Sequence, residues 1–362
     1  MTDFIEIDGS HGEGGGQILR TVVSLSALTG KPIRVKNIRA NRPKPGLKMQ
    51  HLVGIKAVRD LSNGKADGLR LGSSEVTFEP GELRGGNFSL NIQTAGSITL
   101  LLQSVMPLLP FVPTPISARV QGGTDVNWSP PLNYTTRVLL PQLEKMGYKA
   151  NIKLIKRGYF PEGGGVLTGK STPVKHLKPL ELTSFEEVDY VGGMSHCLNY
   201  PREVAEEMAS AAKAILRDNN LDMIDIEIDS QTGVTAPSKG AGLDLWAVTE
   251  DGAIIGSSAL MEKKQQSGQE IGEKAATTLL AYLKSKTPVD PHLQDQLLIY
   301  MALAKGESHY LTGELTDHST TTMWAIEQLL PVKFKVSPEE RDGVKMNLVS
   351  VEGVGFKNKF LN

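Results

Sequence analysis

One arrangement recurs three times along the chain and limits what it can fold into: an alternating strand, a polar turn, then the start of an apolar helix. "FIEIDG" passes through "SHGEGGG" into "QILRTVVSLSAL", which stops at Thr29-Gly30. "FSLNIQ" passes through "TAGS" into "ITLLLQSVMPLL", and "SHYLTGEL" through "TDHST" into "TTMWAIEQLL". Alternation with period two lays one face of each strand on a core, and the change to helical spacing marks the next element. A second leg accompanies the first, a proline-containing turn that opens an amphipathic helix: "RPKPGLKMQHLVGIKAV", "SPPLNYTTRVLLPQLEKMG" and "TPVDPHLQDQLLIYMALAKG". The expected fold is α/β (α+β), with three related units around a shared centre.

Residues 185–285 break the rhythm with the long charged helix "PREVAEEMASAAKAILRDNN" and the strand-like "MIDIEI" and "LDLWAVT". They are expected to form a small inserted α/β domain, leaving 1–184 and 286–362 as the large domain. With 362 residues, 40% of them hydrophobic, the chain can bury a substantial core. The 39 basic and 40 acidic residues nearly cancel, so attraction for a polyanion has to be local. One such patch exists: Lys31, Arg34, Lys36, Arg39, Arg42, Lys44 and Lys48 fall between Lys31 and His51 without an acid. Cys197 is the only cysteine, which excludes an internal disulfide and a cysteine-based metal cluster and suits a reducing cytoplasm. The N-terminus lacks an apolar signal core and no apolar run is long enough to span a bilayer, so no membrane association is expected.

Several residues could carry chemistry. In "HGEGGGQILR" a glycine run between strand and helix lets backbone N–H groups approach an anion at a helix N-terminus, although glycines also simply permit a tight turn. The run lacks the Gly-Lys-Ser/Thr ending of a P-loop, and Gln17 stands where a dinucleotide fingerprint needs its final small residue. Glu13 is either a Mg²⁺ ligand or an exposed loop acid, and Arg20 either a phosphate partner or a solvated arginine. Arg39 and Arg42 cluster in a turn, where guanidinium suits a bidentate grip on phosphate. Gln103, two turns into an apolar helix, is either a satisfied core amide or a reader of a ligand's polar edge. His292, Asp295 and Gln296 fall at helical spacing on one face, fit for a nucleotide, a metal or plain solvent. His318 lies in a turn before a helix, where an imidazole can be nucleophile, base or ligand, or an ornament of a capped helix start.

In this order, "DGSHGEGGGQILR", "IRANRPKPGLKMQH", "AGSITLLLQ", "QGGTD", "GYFPEGGG" and "HLQDQLLIYMALA" closely resemble the RNA 3′-terminal phosphate cyclase family, nearly end to end. The resemblance implies a large domain of three repeated βαβαββ-like units, similar to enolpyruvyl transferases, with a small α/β insert. It implies ATP-dependent conversion of an RNA 3′-phosphate end to a 2′,3′-cyclic phosphate, releasing AMP and pyrophosphate, with Mg²⁺ or Mn²⁺. The family's histidine nucleophile falls at His318. By position, Gln103 and the run His292, Leu293, Gln294, Asp295, Gln296 are expected to hold ATP, with Arg20, Arg39 and Arg42 toward phosphates and Glu13 toward metal. Relatives follow the histidine with a His-x-x-Thr-Asn pattern; here Thr321 fits and Thr322 replaces the asparagine. The resemblance also admits a catalytically silent ribosome-biogenesis relative, against which His318 counts, and enolpyruvyl transfer, against which the cyclase-type motifs count.

Overall fold

The computed structural model describes residues 2–231, 238–262 and 266–361. In the first repeat, β1 (Ile5–Asp8) leads through α1 (Gly16–Thr29) to β2 (Ile33–Lys36), then through α2 (Met49–Leu61) to the hairpin β3 (Lys65–Asp67) and β4 (Val76–Glu79). β1 and β2 are parallel, β2 and β4 antiparallel, and the sheet order is β1-β2-β4-β3. The second repeat repeats the route. β5 (Gly86–Asn91), α3 (Ile98–Val105) and β6 (Ile116–Gly122) precede α4 (Leu132–Tyr134), a π-helical turn (Thr135–Leu139) and α5 (Leu140–Lys145). The hairpin β7 (Lys149–Lys156) and β8 (Gly165–Thr172) closes it, in the order β5-β6-β8-β7.

The third repeat opens with β9 (Glu181–Leu182), and the chain then leaves it. It builds β10 (Val188–Leu198), α6 (Arg202–Arg217), β11 (Ile224–Gln231), β12 (Gly240–Thr249), β13 (Ile254–Leu260) and α7 (Gly268–Leu283). These strands form a separate sheet, β11-β10-β12-β13, whose two helices bury their own cluster around Val191, Met208, Leu216, Leu243, Ile271 and Leu279. The chain then returns through α8 (Gln294–Leu303), β14 (Lys305–Thr312), α9 (Asp317–Glu327), β15 (Lys335–Arg341) and β16 (Val344–Val354). β14 pairs in parallel with β9 and antiparallel with β16, so the third sheet, β15-β16-β14-β9, has the topology of the other two.

This corrects one equivalence expected from the sequence. The third strand–turn–helix arrival, β14 into α9, is the second leg of its repeat and corresponds to β2 into α2. Its first leg runs from β9 to α8. The insert separates those two elements, and a two-residue strand is too short to show alternation.

α1 packs against α2, α3 and α9, so helices from all three repeats meet at the centre. α1 is buried nearly all round, from Gln17 to Leu28, which brings its N-terminal turn to the junction. Among the described residues no helix is long and apolar enough to cross a membrane.

Candidate active site

The glycine turn before α1 lies against the start of α9. Gly12 and Gly14 adopt positive φ of 55° and 62°, and a Cβ on Gly12 would overlap the Thr321 hydroxyl, so glycine is required there by conformation and by space. The Thr321 Oγ1 accepts from the Glu13 N–H at 3.3 Å. Gly15 is the N-cap of α1, and no side chain caps that end or places an acid in its first turn. A helix N-terminus of this kind favours an anion.

His318 is the second residue of α9, whose N-cap Thr316 accepts from the Ser319 N–H at 3.1 Å. Its side chain is 53% exposed. The ring Nδ1 is hydrogen-bonded to Gln17 Oε1 and lies 2.7 Å from Glu13 Oε2. Gln17 is 3% exposed, and its amide nitrogen donates to the His318 carbonyl at 2.7 Å and to Thr322 Oγ1 at 3.2 Å. Two acceptors on the amide nitrogen turn the amide oxygen toward the ring, so Nδ1 is the donor in this contact, and whenever the ring is neutral the lone pair is on Nε2. Thr322, the departure from the asparagine of the family pattern, is thereby part of the device that selects the tautomer. Thr322→Val is expected to lower the rate of any step that uses Nε2 by about 5- to 10-fold, one hydrogen bond of about 1 kcal/mol, with Thr322→Asn closer to wild type. Single-turnover kinetics of the three proteins check this.

Glu13 is braced by Arg42, which pairs with Oε1, while Oε2 is buried without a hydrogen bond. Arg20 Nε donates to Gln103 Oε1 at 3.0 Å. Burial pulls the Arg20 guanidinium down to about 10, against the attraction of Asp295 and Glu13. Burial raises the Asp295 carboxyl, opposed by His318 and Arg20. Arg39, at positive φ, spends one guanidinium nitrogen on the carbonyls of Lys44 and Gly46, at 2.8 and 2.9 Å, tying down its own turn.

His51, at 6% exposure, accepts from the Lys48 N–H through Nδ1 at 3.1 Å. Burial, reinforced by the charges of Arg20, Arg39 and Lys48, pushes it down to about 3. It therefore stays neutral in the folded protein while the unfolded chain binds a proton near the ordinary value of about 6.5. Between those values the unfolded state holds more protons, so stability falls as pH falls through this window. Chemical denaturation at pH 6.5 and pH 5 is expected to show a loss of up to about 2 kcal/mol from this group, diminished in His51→Asn.

A cavity of about 700 Å³ joins Glu13, Arg20, Arg39, Arg42, Gln103, His292, Asp295, Gln296 and His318. That size is within the ~300–1,000 Å³ common for small-molecule sites. Leu293 and Gln294 lie outside it. Leu293 is wholly buried in the core, and Gln294 is buried behind α9, donating to Thr312 Oγ1 at 2.7 Å and accepting from Thr316 N and Ser319 Oγ at 3.1 and 2.9 Å. A run of five consecutive residues cannot present every side chain to one face. His292 precedes α8 rather than sharing its face with Asp295, and meets Tyr134 and Tyr282 edge-on. The basic patch is also divided: Arg34 and Lys36 pair with Glu6, Lys31 donates to the Leu329 carbonyl, and Arg39, Arg42 and Lys48 reach the cavity. Sequence reasoning sets His51 near the site without a role, and misses the part played by Gln17, along with Tyr134 and the 98%-exposed rim residue Trp128. For Gln17 the available signal was a polar side chain opening an otherwise apolar helix.

With this fold and cleft in view, the chain belongs to the RNA 3′-terminal phosphate cyclase family, a family of enzymes whose sequence model matches residues 11–336. Relatives named RNA 3′-terminal phosphate cyclase include that of Pyrobaculum aerophilum, 45% identical over 97% of this chain and 99% of its own length. Those of Methanopyrus kandleri and Pyrococcus furiosus are each 43% identical, over 93% and 92% of this chain and 96% and 95% of their own.

Proposed function

We propose that this chain converts an RNA 3′-terminal phosphate to a 2′,3′-cyclic phosphodiester, using ATP and releasing AMP and pyrophosphate. The observation that carries the reading is the His318 ring, bonded through Nδ1 to Gln17 on the wall of a cavity it shares with the N-terminal turn of α1 and with Arg20, Arg39 and Arg42. Nε2 attacks the α-phosphorus of ATP and pyrophosphate leaves, while Arg20, Arg39 and Arg42 balance the charge that develops. Gln17 and the nearby Glu13 carboxylate stabilise the ring as it becomes cationic on bonding to phosphorus. An RNA 3′-phosphate oxygen then attacks the adenylate and the imidazole departs. The adjacent 2′-OH, losing its proton, closes on the activated 3′-phosphorus and expels AMP, a step favoured by its intramolecularity.

The residues fit a divalent cation at this centre: Glu13 Oε2 is a buried carboxylate oxygen without a hydrogen bond, its close polar neighbour being His318 Nδ1 at 2.7 Å, and Mg²⁺ is commonly held by one carboxylate together with substrate phosphates. Such an ion, Mg²⁺ or Mn²⁺, supplies Lewis-acid neutralisation of phosphate charge. Gln103, His292, Asp295 and Gln296 line the adenosine end of the proposed site, with Tyr134 and Pro131 beside them. The single buried cysteine suits a cytoplasmic setting. A silent binding protein would have no need of a fixed histidine tautomer. Incubation with Mg²⁺ and ATP labelled at the α-phosphate is expected to leave an acid-labile, alkali-stable label on the denatured protein. ATP-binding protein that acquires no such label would exclude the adenylate route.

A further inference from the structure

A second set of chemistry-bearing side chains lies where the second repeat meets the insert. Asp125 follows β6, His196 lies in β10 and Asp244 in β12, exposed by 1%, 0% and 2%. One possible ligand atom from each lies within 4.8 Å of the others. His196 Nε2 is 3.3 Å from Asp244 Oδ2 and 3.8 Å from Asp125 Oδ1. Nevertheless His196 Nε2, Asp125 Oδ1 and Asp244 Oδ1 form no hydrogen bond. Buried polar atoms without partners are rare because nothing replaces the water they lose.

The other polar atoms of the three residues are engaged. Asp125 Oδ2 accepts from Thr124 Oγ1 at 2.7 Å and Arg157 Nη1 at 3.0 Å. Asp244 Oδ2 accepts from Asn133 Nδ2 at 2.8 Å, and His196 Nδ1 pairs with the Tyr159 hydroxyl at 2.7 Å. Such outer partners orient metal-binding side chains and leave their remaining atoms converging. Arg157, 2% exposed, also pairs with Asp229 at 2.8 Å, so one guanidinium serves Asp125 and Asp229, and among the described residues Asp244 has no lysine or arginine partner. A proton on His196 Nε2 does not resolve this. Its approach to Asp244 lacks hydrogen-bond geometry, and both free Oδ1 atoms would remain unpaired.

We propose that Asp125, His196 and Asp244 bind a divalent transition-metal ion, Zn²⁺ or Mn²⁺, that pins the insert to the second repeat. One imidazole nitrogen with two carboxylates suits these ions better than an all-oxygen Ca²⁺ or Mg²⁺ cage. The site shares no residue with the His318 centre. Through Asn133 it adjoins the segment Trp128–Tyr134 that walls the cavity, so the ion stiffens that wall.

The test uses the full chain, purified without added metal, with bound ions counted by mass spectrometry after gel filtration. About one ion per chain is expected, removed by a strong chelator with a fall in Tm and regained with ZnCl₂ or MnCl₂. Asp244→Asn is expected to retain at least ~10-fold less, whereas Glu13→Gln retains the wild-type amount. Pulsed EPR of Mn²⁺-loaded Glu13→Gln, in which the cluster is intact and the carboxylate of the other centre is gone, should show coupling to an imidazole nitrogen, and decides the matter even if Asp244→Asn does not fold. Metal-free protein whose Tm is unmoved by about 1 mM of either salt overturns the site, as does undiminished metal in Asp244→Asn or an EPR signal without nitrogen coupling.

Discussion

His318→Ala is expected to take up no label from α-labelled ATP and to lose cyclisation by at least ~10³-fold, because it removes the imidazole that Gln17 orients toward the cavity. The loss should be chemical rather than structural. The ring is half exposed, the cap of α9 is made by Thr316 and Ser319, and the core beneath consists of other residues. Losing the ring also takes the partner of Gln17 Oε1, so stability should fall by about 1 kcal/mol, too little to unfold the chain. RNA supplied with its 3′ end already adenylated needs only the last step, so the variant should cyclise it at close to the wild-type rate. Label retained by His318→Ala would place the nucleophile elsewhere, and failure on the adenylated RNA would show that the ring also serves the closing step.

Arg20→Ala is expected to slow adenylate formation by roughly 10²–10³-fold, the scale of losing a preorganised charge at a phosphoryl-transfer centre. The residue is poised in two respects. Its guanidinium is oriented by Gln103, and it faces Asp295 and Glu13, whose negative charges would otherwise repel an incoming polyphosphate. Arg20→Lys should recover only part of the rate, since an ammonium cannot keep the Nε bond and grip oxygens with a planar fork. Measuring the adenylation rate against ATP concentration separates the two contributions: a rise in the half-saturating concentration alone would reduce Arg20 to a binding residue, and rates within threefold of wild type would remove it from the chemistry.

What the sequence disclosed follows from which physical signals are local. Strand alternation and helix period in "FIEIDG…QILR" and "FSLNIQ…ITLLLQ" are local, and the first two repeats could be read from them. The third was assigned its legs in the wrong order because β9 has only two residues and the insert stands between it and α8. His318, Arg20 and Gln103 were visible as chemically able side chains at element starts or in apolar helices. Gln17 was read as the residue that spoils a dinucleotide fingerprint, and its place as a polar side chain opening an apolar helix said nothing of its partners. Its role depends on His318 and Thr322, 301 and 305 residues away, and no local pattern encodes that. The Asp125, His196 and Asp244 cluster was illegible for the same reason, its members arriving from different elements of two layers.

That separation bears on when the protein can first act. A chain emerging from the ribosome presents the glycine turn, the arginines and Gln103 well before α8 and α9. At that stage the cavity lacks His318 from α9, and His292, Asp295 and Gln296 from the start of α8 and the turn before it, so neither the proposed nucleophile nor the third repeat's share of the wall is in place. On the proposed mechanism, chemistry needs α9 docked on α1 with Gln17 bonded to the ring, which would tie the onset of reactivity to arrival of the third repeat.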